Sequence, residues 1–163
     1  MGQGYSTLGF VVIVILYATV GLMAAVGTTY IARKIFAPKA EQIFYALFLI
    51  MIAAFYLAFA AYFGATDAWR METTVVVAFV AIALLGARLP FALMAGYLLH
   101  GVWDLLHELQ AHGAYSTFPG RLTAIPLAYG VFCAVFDFYM AWYLYSRRAD
   151  WAAAWKPGIK KTA

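Results

Sequence analysis

The chain has 163 residues, of which 66% are apolar and only 11% are charged, and its formal net charge is +4. Soluble domains carry about 25% charged residues, so a mostly wetted surface is excluded. The positive charges fall between apolar runs and at the C-terminus, as membrane orientation requires, and no nucleic-acid partner is expected.

The length suits a single domain over residues 1–163, with no linker composition and no internal repeat. The lone cysteine, Cys133, excludes an intramolecular disulfide, and the absence of asparagine excludes N-glycosylation. Nothing at the N-terminus combines a basic segment with a small-residue cleavage site, so a cleaved signal peptide is not expected. Gly2 and Ser6 fit the Met-Gly-x-x-x-Ser pattern of myristoylation, but a chain with several spans needs no lipid anchor.

The expected fold is all-α: a polytopic membrane helical bundle of about five transmembrane helices. Apolar runs near the roughly 20 residues that cross a bilayer place helices over residues 8–32 and 42–63, then 72–87, 90–110 and 122–146, with a cytoplasmic tail at 147–163. The third helix is short for a span. Pro90 suits a first helical turn, so the third and fourth helices could form a tight hairpin.

Lysines and arginines sort by loop. The first loop holds Arg33, Lys34 and Lys39, the third holds Arg88, and the tail holds Arg147, Arg148, Lys156, Lys160 and Lys161. The second loop has only Arg70 and the fourth only Arg121, so nine of the 11 positives share one side of a five-helix chain. The positive-inside rule then puts the N-terminus outside and the C-terminus in the cytoplasm, in a multi-pass protein of the inner (plasma) membrane.

An ionisable group inside a span costs about 2.5–3.5 kcal/mol on insertion scales, so it faces the bundle interior and needs a partner. On the fourth helix His100, Asp104 and His107 are spaced i, i+4, i+7 and share one face with Tyr97 and Glu108. At 1.5 Å of rise per residue, His100 lies roughly 15 Å above Pro90, Asp104 about 21 Å and His107 about 26 Å. Asp137 on the last helix comes out roughly 14 Å from its inner end, level with His100. The two should therefore face each other. Tyr56 and Cys133 fall near the level of Asp104, and Glu72 opens the third helix close to His107. One shared polar cavity is the simplest arrangement. Glu108 is expected to be solvated.

Glu72, His100, Asp104 and Asp137 are the candidate catalytic groups. His100, Asp104 and His107 are candidate ligands for a divalent metal such as zinc, which accepts imidazole nitrogen and carboxylate oxygen. A metal-bound water could attack an ester, amide or epoxide. Equally, histidine beside a carboxylate could move protons on a lipid-soluble substrate without any metal. No Gly-rich phosphate loop, Ser elbow or Cys-x-x-Cys occurs. A retinal Schiff base is excluded because no span holds a lysine, and a two-helix bis-histidine haem because all three histidines lie between positions 100 and 112.

The fourth helix resembles that of a family of small bacterial integral membrane proteins of unknown function, in which a span reads Trp-Leu-Leu-His-x-x-Trp-Asp-x-x-His-His. The matching stretch runs from Tyr97-Leu98-Leu99-His100 through Trp103-Asp104 to His107, with Glu108 in place of the second consecutive histidine. Phe132-Cys133 and Phe136-Asp137 look similar to the family's last helix, and Glu72 to the glutamate opening its preceding span. The resemblance covers roughly residues 44–145 and implies the site, not a reaction.

Three functions are expected from these residues. The first is a membrane-embedded enzyme, a hydrolase or isomerase, acting on a lipid-soluble small molecule among membrane lipids. The second is a non-catalytic subunit of a membrane complex or homo-oligomer, packed through small residues such as Gly21, Ala25, Ala92 and Gly96. The third is a proton or metal-ion pathway.

Overall fold

The computed structural model describes residues 7–112 and 122–156. Five helices account for most of them: α1 (Thr7–Ile35), α2 (Pro38–Tyr62), α3 (Trp69–Gly86), α4 (Pro90–Ala111) and α5 (Tyr129–Trp155). A short 3-10 turn, Thr66–Ala68, leads into α3, and no strand occurs among the described residues. The Gly2/Ser6 pattern, Arg121, Lys160 and Lys161 lie outside the described residues.

Prolines set two of the helix starts. Pro38 and Pro90 occupy the first turns of α2 and α4, where the missing N–H costs nothing, and the residues before them, Ala37 and Leu89, are extended. α5 begins at Tyr129, seven residues after the expected start. Pro126 disfavours helix at Ile125 before it, and Ala128 takes a left-handed conformation with φ 56°, outside the right-handed helical region. α3 starts one turn early, at Trp69, so Glu72 lies in its first turn.

α1, α2 and the segment Thr66–Gly86 are long and apolar enough to cross a membrane. α4 and α5 are also long, at 22 and 27 residues, but carry the polar groups that make them less apolar. α1 exposes large apolar side chains around its circumference, among them Leu8, Val12, Ile15, Leu16, Met23 and Ile31. A surface of that kind suits lipid rather than water.

α2, α3, α4 and α5 form the bundle, with α4 and α5 in the most extensive contact. α1 packs along α5 and makes little contact with α2 although only Phe36 and Ala37 separate them in sequence. Gly21 permits this packing, since a Cβ there would lie 2.4 Å from the carbonyl oxygen of Phe132. Gly130 does the same for α5 against α4, its Cβ position lying 2.5 Å from the Asp104 carbonyl oxygen.

α5 runs on to Trp155 instead of ending near Ser146, and its last turns are docked, not a free tail. Glu41, fully buried at the start of α2, accepts hydrogen bonds from Tyr143 Oη, from Arg147 Nη2 at 2.9 Å and from Trp151 Nε1 at 2.9 Å. Gln42 donates to the Gly86 carbonyl at 2.7 Å and accepts from Trp155 Nε1 at 3.0 Å. The Arg88 guanidinium sits 4.5 Å over the Trp155 ring. The start of α2, the α3–α4 turn and the end of α5 are thereby clasped at the end of the bundle where Arg88 and Arg147 lie.

Candidate functional site

The stripe on α4 builds the site. Its helical spacing turns His100, Asp104 and His107 toward the bundle interior, and all three are buried. Asp137 comes from α5. His100 Nδ1 lies 2.6 Å from Asp137 Oδ2 and 3.2 Å from Asp104 Oδ2. The exposures of His100, Asp104 and Asp137 are 1%, 0% and 1%. The expectation that His100 and Asp137 face each other at one level is met.

His107 does not join that group. Its Nε2 hydrogen-bonds Glu72 Oε1 at 2.9 Å and its Nδ1 is 3.0 Å from the Trp103 carbonyl oxygen, so both ring nitrogens are occupied. Glu72 Oε1 also accepts from the Thr123 backbone N–H at 2.9 Å, which ties the segment before α5 to α3. The five residues therefore form two sets. Between them stands Tyr56 of α2. Its hydroxyl donates to Asp104 Oδ1, and its ring centroid is 4.2 Å from that of His107 and 5.9 Å from that of His100. Its importance was legible only as a matching depth.

Glu108 is buried rather than solvated. Its Oε1 is 2.8 Å from His112 Nε2, and its Oε2 accepts from the Gly130 backbone N–H at 3.0 Å. It holds the first turn of α5 against α4. The close α4–α5 approach at Gly130, whose Cβ position lies 2.7 Å from Glu108 Cβ, covers this part of the α4 face.

Three buried polar atoms in these two sets have no polar partner among the described residues, His100 Nε2, Asp137 Oδ1 and Glu72 Oε2, and Asp104 Oδ2 has only its 3.2 Å contact with His100 Nδ1. Such atoms are costly to bury unpaired, by about 1–3 kcal/mol each. His100 and Asp137 also border a cavity of about 330 Å³ between α1, α2 and α5. Cys133, Phe48, Phe55 and Phe136 line it with them.

The arrangement has two chemical uses. A carboxylate on the Nδ1 of histidine fixes the tautomer and leaves Nε2 as the atom that takes or gives a proton. Alternatively, His100, Asp104 and Asp137 each offer one ligand atom, all within 4.8 Å of one another, a donor set that fits a divalent transition metal. Asp137, not His107, completes that set.

The model of a family of unknown function, DUF6010, matches residues 9–150. The chain belongs to this family. The match includes all five helices in whole or in large part, so it takes in both polar sets and most of α1, which the stretch from 44 to 145 omits. No match was found among curated proteins or among solved structures.

Proposed function

We propose that this DUF6010 protein is a membrane-embedded enzyme, a hydrolase or isomerase, that works on a lipid-soluble substrate through His100. In this reading Asp137 orients the imidazole and stabilises its charged form, Nε2 exchanges a proton with substrate, and Asp104, held by Tyr56, completes the acidic surround. The observation that carries it is one of position. A buried His–Asp pair with unpaired polar atoms borders an apolar cavity. A purely structural pair has its polar atoms satisfied by each other. The test is a comparison of the lipids extracted from host cells that express wild-type protein, His100→Ala or no protein. Enzyme action predicts a lipid pool that changes with the wild type alone.

A second reading is favoured by charge. Two ionised carboxylates around one protonated imidazole would carry a net charge of −1 in a site nearly devoid of solvent, a charge that burial removes either by keeping one carboxyl protonated or by binding a cation. A divalent cation such as zinc on His100, Asp104 and Asp137 would neutralise it, and would supply a Lewis acid and an activated water. Metal analysis of protein purified without chelators tests this. One equivalent, lost in Asp104→Ala, supports it, and a metal content at background refutes it.

For the membrane context we infer five spans in the plasma membrane, with α4 and α5 crossing alongside the three more apolar helices. The C-terminus lies in the cytoplasm, because nine of the 11 lysines and arginines fall at that end of a five-span chain.

A further inference from the structure

We propose that the cavity beside His100 takes an uncharged lipid with a single oxygen function at one end, a hydroxyl, carbonyl, epoxide or ester, and admits it sideways from the bilayer between α1 and α2. This deepens the enzyme reading above and rests on it for the chemistry, though not for the binding.

Three observations carry the choice of ligand. The first is the lining. The walls are Ala24 and Thr28 of α1, Phe48, Ile52 and Phe55 of α2, and aromatic side chains of α5, and no lysine or arginine lines them among the described residues. A phosphate or carboxylate entering there would find no lysine or arginine, only an imidazole whose charge Asp137 already balances. The second is the polar end. It is acidic, with Asp137 on the cavity wall and Asp104 directly behind His100. An anionic head would meet like charge in a medium of low dielectric, where repulsion is strongest. The unpaired His100 Nε2 and Asp137 Oδ1 suit one neutral oxygen: each of these functions can accept from a protonated Nε2, and a hydroxyl can in addition donate to the Asp137 carboxylate, which only accepts. The third is the way in. α1 leans on α5 and leaves α2, so the cavity lies where two neighbouring helices make little contact. Phe55 on its wall is 47% exposed, so the wall reaches the flank of the bundle, the side that faces hydrocarbon in a five-span chain. The small residues at positions 24 and 28 keep that opening clear.

The probes are farnesol and farnesyl phosphate, one chain with and without a charged head, titrated in tritiated form against protein in non-ionic detergent. Farnesol should bind saturably, and farnesyl phosphate at least tenfold more weakly. Ala24→Phe and Thr28→Trp, each filling the α1 wall, should weaken farnesol at least tenfold while the melting temperature stays near that of the wild type. Asp137→Asn should narrow the gap between the two probes. Equal or tighter binding of farnesyl phosphate by the wild type would overturn the proposal, and that comparison needs no variant to fold. So would unsaturable farnesol binding, or unchanged binding by both filled variants. Farnesol binding with a lipid pool indifferent to His100→Ala would support the cavity and remove the enzyme. A pool that depends on His100, without farnesol binding, would do the reverse.

Discussion

His100 and Asp137 meet across the seam between α4 and α5, Nδ1 to Oδ2 at 2.6 Å, 37 residues apart in sequence. The contact depends on the two helices coming unusually close. Gly101, the neighbour of His100, faces α5 so tightly that a Cβ on it would lie 2.9 Å from Phe138 Cε1 and 3.3 Å from Asp137 Cβ. A small residue beside the histidine lets the carboxylate reach it.

Gly21 and Gly27 separate packing from propensity on one helix. Gly21→Ala would press a methyl group onto the Phe132 backbone, which cannot give way as a flexible side chain can. α1 should then lift from α5, with a melting temperature several degrees lower in detergent and weaker probe binding in the cavity that α1 walls. Gly27→Ala meets nothing within 4 Å and gains up to about 1 kcal/mol of helix propensity. It should melt at the wild-type temperature or above.

Glu41 should matter to stability and not to chemistry. Glu41→Ala leaves the Arg147 guanidinium, the Tyr143 hydroxyl and the Trp151 N–H without their shared acceptor. Losing one partner of a buried pair costs about 3–5 kcal/mol. The variant should melt well below the wild type, and trypsin should cut after Arg147 or Arg148 sooner. Activity per folded molecule should be unchanged.

Tyr56→Phe keeps the ring between His100 and His107 but removes the donor to Asp104 Oδ1. An unpaired buried acceptor costs about 1–3 kcal/mol. A modest fall in melting temperature is expected, with a loss of lipid turnover smaller than that of His100→Ala. Turnover equal to that of the wild type would remove Tyr56 from the site.

The sequence made the helices and the polar stripe readable, because apolar run length and the 3.6-residue period are local properties. It also put His100 level with Asp137, although that count took α5 to end near Ser146 and the helix runs on to Trp155. It did not separate His107 from the His100 set. That division depends on the direction in which Glu72 reaches and on Tyr56 filling the gap, and neither has a period. Nor did it reveal the Glu41 clasp. Arg147 and Arg148 look like an ordinary basic tail until α5 is followed for two further turns, where Trp151 and Trp155 dock on α2. The late start of α5 was foreshadowed by Pro126, but Ala128 carries no glycine-like signal for its left-handed backbone.

Orientation has its own check. A reporter fused after the last residue should read out in the cytoplasm, and one inserted in the α2–α3 connection near Gly64 should read out on the opposite side. A C-terminal reporter outside the cell would overturn both the orientation and the odd number of spans.

The enzyme reading stands or falls on His100. Polar contacts between membrane helices average only about 0.6 kcal/mol, so a histidine serving packing alone should be nearly dispensable or should show its loss as reduced stability. The decisive measurement pairs thermal melting of solubilised His100→Ala protein with the lipid pool extracted from cells that express it. A melting temperature within a degree or two of the wild type, together with a lipid pool identical to that of cells lacking the protein, is the result expected of a catalytic His100. A melting temperature several degrees lower, with a lipid pool still like that of wild-type cells, would mean that His100 and Asp137 only hold α4 and α5 together.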